Sequence, residues 1–64
     1  MAITMKAARV NAGFTLEEAA NALKISKNTL MNYEKYRTKP NIEKAKLMAN
    51  LYGMTVNEII FFAN

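Results

Sequence analysis

The stretch TLEEAANALKISKNTLMNYE, Thr15 to Glu34, holds two helix-start signals separated by one short apolar-faced segment and a tight turn. Thr15 reads as an N-cap with Glu18 three positions on, a capping box, and Leu16, Ala19, Ala20 and Leu23 follow at i, i+3, i+4 and i+7. This pattern predicts a short helix whose alanine-rich face lets another helix come close. Lys24 and Ile25 leave only a turn before Ser26, which reads as the N-cap of a second helix over about Lys27 to Lys35. At about 100° per residue, Leu30 and Tyr33 fall on one side of that helix, and Asn28, Met31, Asn32 and Lys35 on the other. One side is core, and the other is free to meet a partner.

Outward from this pair, the chain keeps reading as helix. A first helix is predicted from about Ile3 to Asn11, ending at Gly13 as a left-handed cap. Asn41 can cap a fourth helix from about Ile42 to Tyr52, in which Ala45, Met48, Ala49 and Tyr52 repeat the apolar spacing until Gly53 stops it. Thr55 with Glu58 forms a second capping box, predicting a last helix through Val56, Ile59 and Phe62. Only two glycines and one proline punctuate the sequence, and polar/apolar alternation is nowhere sustained. The expectation is one all-α domain over residues 1–64, a compact bundle of five helices.

Composition narrows the functional classes. A chain of 64 residues buries only about 60% of its unfolded surface, which leaves no room for a cofactor-sized cavity. With 52% apolar and 22% charged residues, it has the make-up of a folded domain. Neither cysteine nor histidine occurs, which removes disulfides, thiolate chemistry, the usual zinc sites and the commonest general base. Ser26 and Lys27 are adjacent, but a capping serine is already occupied by backbone amides, and no triad partner is apparent. No enzyme, cofactor, metal or small-molecule ligand is expected. The opening MAITMKAARV lacks the pattern of a secretory signal, and no stretch approaches about 18 apolar residues. A cytoplasmic protein without membrane contact is therefore expected.

The net charge of +4 is unevenly placed. Between Lys24 and Lys39 the cations Lys24, Lys27, Lys35, Arg37 and Lys39 face the single acid Glu34, whereas Lys6, Arg9, Lys44 and Lys46 are balanced by Glu17, Glu18, Glu43 and Glu58. All the excess sits in one segment, the footprint of a surface that meets phosphate. A solvated basic face is the alternative reading.

A helix, a short turn and a second helix with a polar outer side describe a helix-turn-helix. The residues also resemble a family. R-x-x-x-G-x-T at Arg9, Gly13 and Thr15, then EEAANAL, the turn KIS, NTLMNYE followed by RTKP, and finally LYGMTVNEI are similar to the Cro/repressor-type (XRE) DNA-binding domains of phages and bacteria. The resemblance covers nearly the whole chain and implies a lambda-repressor-like fold with the helix-turn-helix at helices 2 and 3. By position it implies base contacts from Lys27, Asn28, Thr29 and Asn32, with Ser26 near the first phosphate. The chemistry agrees: Asn can bond adenine N6 and N7 bidentately, Lys can reach guanine O6 or N7, and a Thr methyl or Met31 can touch a thymine methyl. Further phosphate contacts are expected from Lys35, Arg37, Lys39 and the N-terminal amides of the second and fourth helices.

Two positions depart from the family pattern. Leu16 stands where a polar residue, often Gln, usually opens the second helix, which weakens the amide network there. Tyr36 stands where the family often has Gly, so a left-handed residue would be strained. Either the turn differs, or Tyr36 lays its ring along the DNA backbone.

The resemblance also implies an ion pair between the first and third helices, here Arg9 and Glu34; the alternative is two exposed charges of little consequence. Leu47 and Leu51 lie away from the core stripe of the fourth helix, and IIFFA is apolar on every side. Some of this must be core, but on a helix Ile60 and Phe61 cannot both point where Ile59 and Phe62 do. Leu51, Val56, Ile60 and Phe61 are therefore candidates for a twofold dimer contact, with a loose monomer core wrapping them as the alternative. The expected function is that of a Cro-like, sequence-specific repressor binding double-stranded DNA as a homodimer on a pseudo-palindromic operator. A protein-interaction module, an antitoxin or a restriction-system controller on the same fold is the rival.

Overall fold

The computed structural model describes residues 2–62. Four α-helices carry most of the chain: α1 (Met5–Asn11), α2 (Leu16–Leu23), α3 (Lys27–Glu34) and α4 (Ile42–Leu51). A short strand, β1 (Ile3–Thr4), precedes α1, and a single 3-10 turn (Val56–Glu58) leads into β2 (Ile59–Ile60). The two strands pair in parallel, Ile3 opposite Ile59 and Thr4 opposite Ile60.

Side-chain caps start all four helices. The hydroxyl of Thr4 accepts from Ala7 N, that of Thr15 from Glu18 N, and that of Ser26 from Thr29 N, while the Asn41 amide oxygen accepts from Lys44 N. Each cap satisfies a backbone N–H that has no partner within the helix. Because the cap of α1 is Thr4, Ile3 and Thr4 lie outside the helix, which starts two residues later than the apolar pattern predicts.

The helix ends share one construction. In each, an N–H just past the helix end reaches back five residues: Phe14 to Arg9 O, Ile25 to Ala20 O, Arg37 to Asn32 O, and Met54 to Ala49 O. This bond requires a left-handed residue just before it. Gly13 and Gly53 supply it without strain, whereas Lys24 and Tyr36, both at φ 59°, adopt it with a Cβ present.

At the centre of the core lie Met5, Leu30 and Met48, one each from α1, α3 and α4, all fully buried. Ala8, Ala19, Ala20, Ala45 and Ala49 let the helices approach around them, and Leu23, Tyr52, Ile59 and Phe61 close the cluster.

The C-terminal segment departs from the expected fifth helix. Thr55 N and Thr55 Oγ1 both donate to Glu58 Oε1, at 2.9 and 3.1 Å, but they launch only a single 3-10 turn. Past Glu58 the β-branched pair Ile59–Ile60 is extended and bonds to β1, an arrangement suited to stiff side chains. Burial consequently alternates: Ile59 and Phe61 are 4% and 5% exposed, Ile60 and Phe62 38% and 57%. Phe61 is therefore core and not part of an exposed contact surface, and Phe62 points outward.

Candidate nucleic-acid interface

α3 is held from below and free above. Leu30 is completely buried and Tyr33 packs on the core, which fixes the rotation of the helix about its axis. Its outer side then carries Lys27 and Asn28, both exposed, with Met31 and Asn32 partly exposed one turn on. The amide groups of Asn28 and Asn32, four residues apart, lie along one line of the helix surface. Among the described residues, no side chain or backbone group bonds the side chains of Lys27, Asn28 and Asn32.

Ser26 and Thr29 are placed differently. Ser26 Oγ accepts from Thr29 N at 3.0 Å and lies 2.8 Å from Thr29 Oγ1, so the two hydroxyls hold the helix start together. Their hydrogen-bonding capacity goes first to the cap. The Thr29 methyl remains a candidate contact.

The cations expected at phosphates come directly after α3. Lys35 and Arg37 are exposed on either side of the left-handed Tyr36. Lys39 is exposed as well, yet its Nζ stands 5.6 Å from the Phe62 ring centroid, a cation–π placement. Pro40 is buried and closes the loop. Tyr36 takes the left-handed conformation, so the turn keeps its usual form. Its ring packs against the core, and its hydroxyl donates to Ile60 O at 2.9 Å.

The orientation of α3 against α1 rests on ionic bonds. Arg9 Nε donates to Glu34 Oε2 at 2.7 Å and Nη2 to Oε1 at 3.2 Å, with side-chain exposures of 10% and 7%. The remaining Arg9 nitrogen, Nη1, donates to Phe14 O at 3.0 Å. A planar guanidinium satisfies three demands at once here, which a lysine could not.

Two features near the site carry no local signal in the sequence. Leu16 and Met31 line a cleft with Lys6, Arg9, Glu34 and Lys35, so the leucine standing at the start of α2 presents an apolar wall beside α3. Lys44 Nζ donates to Leu23 O at 3.1 Å, placing a cation at the carbonyl end of α2. Neither could be read from spacing, since both join positions far apart in the chain.

A groove between α2 and α4 is lined by Ala22, Leu23, Lys24, Lys44, Leu47, Asn50 and Leu51. Leu47 is 47% exposed there. Val56 and Ile60, the other expected dimer residues, are exposed, whereas Leu51 is partly buried against the core. No helix among the described residues is long and apolar enough to cross a membrane.

A family model described as helix-turn-helix matches residues 5–59. The HTH-type transcriptional regulator ImmR of Bacillus subtilis (strain 168) is 36% identical over 56 residues, covering 88% of this chain and 44% of that protein. The cryptic phage CTXphi transcriptional repressor RstR of Vibrio cholerae is 35% identical over 52 residues, 81% of this chain and 47% of that protein. The chain thus spans about half the length of the curated relatives it matches. No solved structure matches it significantly. Capped helices α2 and α3, the turn between them, and this match over most of the sequence lead to one assignment: the chain belongs to the Cro/repressor-type (XRE) helix-turn-helix family.

Proposed function

We propose that this chain is a sequence-specific double-stranded DNA-binding transcriptional regulator, a Cro-like repressor. The carrying observation is the outer side of α3, where Lys27, Asn28 and Asn32 stand unpaired among the described residues, above a helix fixed by buried Leu30 and by the Arg9–Glu34 pair. Asn28 and Asn32 would read base edges in the major groove, and Lys27 would contribute a guanine or phosphate contact. Lys35 and Arg37 would hold the backbone and set register, with Ser26 and Lys39 at its margin. Resemblance to two transcriptional regulators, one named as a phage repressor, supports this reading.

Two copies would place their α3 helices about 34 Å apart on one face of a pseudo-palindromic operator. Val56 and Ile60 are the exposed apolar residues on which such a dimer would rest, with Leu51 contributing its accessible part. Bound across a promoter, the dimer would repress by occluding polymerase.

The groove lined by Ala22, Leu23, Leu47 and Leu51 favours one rival, a module whose partner is protein. Selection of sites from a random duplex library at about 150 mM salt separates the two. The wild type is expected to enrich a twofold-symmetric site with half-sites about 10 base pairs apart. The Asn28→Ala/Asn32→Ala double variant should lose it while keeping salt-sensitive background binding. Enrichment of the same weak sequences by both proteins would remove direct readout by α3 and turn attention to the groove.

A further inference from the structure

The loop after α3 is clasped to the far end of the chain. Tyr36 sits at φ 59°, a conformation glycine adopts freely and a bulky aromatic residue does not. Such strain persists only where the surroundings hold it. Here Tyr36 N–H bonds Tyr33 O at 3.0 Å, Arg37 N–H bonds Asn32 O at 2.9 Å, and the Tyr36 ring packs on the core. Its hydroxyl then reaches across 24 positions to Ile60 O, in the strand paired with β1. A second tie, Lys39 over Phe62, joins the same loop to the same strand end.

We propose that Tyr36 is a positioning residue for phosphate binding. The geometry fixes the backbone between Lys35 and Arg37, so that the point and direction from which the Arg37 side chain leaves the loop are set before DNA arrives. A cation carried on a fixed backbone loses less conformational freedom on binding than one on a mobile loop. Glycine at this position would close the turn with less strain but would supply no anchor. The inference rests on the DNA-binding reading above.

The test measures binding of a fluorescein-labelled, mixed-sequence 20-base-pair duplex by fluorescence anisotropy between 50 and 200 mM salt. Wild type, Tyr36→Phe, Arg37→Ala and the double variant are compared, with helical circular dichroism showing that each is folded. Tyr36→Phe keeps the ring and removes only the hydroxyl. It is expected to weaken binding about threefold or more at 50 mM salt and to make the salt slope shallower by up to about one. In the Arg37→Ala background the same change is expected to do almost nothing, because both act on one contact. Wild-type affinity and slope in Tyr36→Phe, or effects that add in full, would overturn the proposal while leaving DNA binding intact. A wild-type protein that fails to bind the duplex would remove both.

Discussion

Arg9 and Glu34, 25 positions apart, meet through two hydrogen bonds of 2.7 and 3.2 Å and so join the first helix to the inner side of the third. Removing one partner leaves a buried charge uncompensated, at a cost of about 3–5 kcal/mol. A domain of this size has about that much stability in total. Arg9→Ala and Glu34→Ala are each expected to be largely unfolded at 37 °C in urea titrations monitored by circular dichroism. Arg9→Met/Glu34→Leu, which removes both charges and keeps the volume, should recover most of the loss. If the single variants lose under about 1 kcal/mol, the pair behaves as a surface contact and the orientation of α3 rests on Leu30 instead.

Tyr52 offers the opposite case, a buried polar group without a counterpart. Its hydroxyl has no hydrogen-bond partner among the described residues, while its ring lies 6.2 Å from that of Phe14. Burial pushes the phenol up to about 12 from 10.0; the Glu34 carboxylate adds to the rise and Arg9 opposes it. The unfolded chain therefore releases this proton first as pH rises. Stability from the neutral phenol is fully present below pH 10 and is lost between pH 10 and about 12. Tyr52→Phe should be neutral or more stable by about 1 kcal/mol at pH 7, and its alkaline decline should be shallower. Loss of stability at neutral pH would mean that the hydroxyl has a partner in solution.

At the acid end the capping carboxylates set the trend. Thr15 N donates to Glu18 Oε1 at 2.9 Å, and bonds from the Thr15 backbone and side chain hold the Glu18 carboxyl below its ordinary 4.5. Glu58 is lowered the same way by the backbone and side chain of Thr55. Because the folded values lie below the unfolded ones, this stabilisation is present above pH 4.5 and lost as pH falls through the folded values. Glu18→Gln keeps an acceptor but cannot titrate, so its acid denaturation curve should be flatter. Thr15→Ala should lose about 1 kcal/mol at about pH 7 by removing the cap oxygen. An unchanged acid limb in Glu18→Gln would assign the pH dependence elsewhere.

The four α-helices were legible because their boundaries are written locally: Thr15 with Glu18, Ser26, Asn41, and glycines at 13 and 53. The strand pair was not, since Ile3 and Ile59 are separated by nearly the whole chain and each strand is only two residues long. The second capping box misled for a physical reason. Glu58 satisfies the Thr55 N–H whether or not a helix continues, and the path of the chain beyond Glu58 is decided by pairing with β1. Tyr36 was ambiguous in the same way, because the cost of a left-handed aromatic is visible locally and the Ile60 carbonyl that anchors it is not. In the candidate site, the polar positions of α3 could be read from its period. The clasp on the basic loop and the Lys44 bond to Leu23 O could not.

A helix and a strand expose different members of Ile59–Phe62, so substitutions there separate the two. Phe61, 5% exposed, should be intolerant: Phe61→Ala is expected to cost about 3–5 kcal/mol in urea titration. Ile60 is 38% exposed and contributes its backbone carbonyl to the Tyr36 bond, which a side-chain change leaves in place. Ile60→Lys should therefore stay within about 0.5 kcal/mol of wild type as a folded monomer. If two copies pair through Val56 and Ile60, the same substitution sets two lysines against each other across the twofold axis and weakens association at least tenfold in sedimentation velocity. Unaltered association would take the dimer contact away from β2 and leave Leu47 and the α2–α4 groove as the apolar surface to test. The reverse sensitivity, with Phe61→Ala tolerated and Phe62→Ala strongly destabilising, would restore the helix, in which Phe62 instead of Phe61 faces inward.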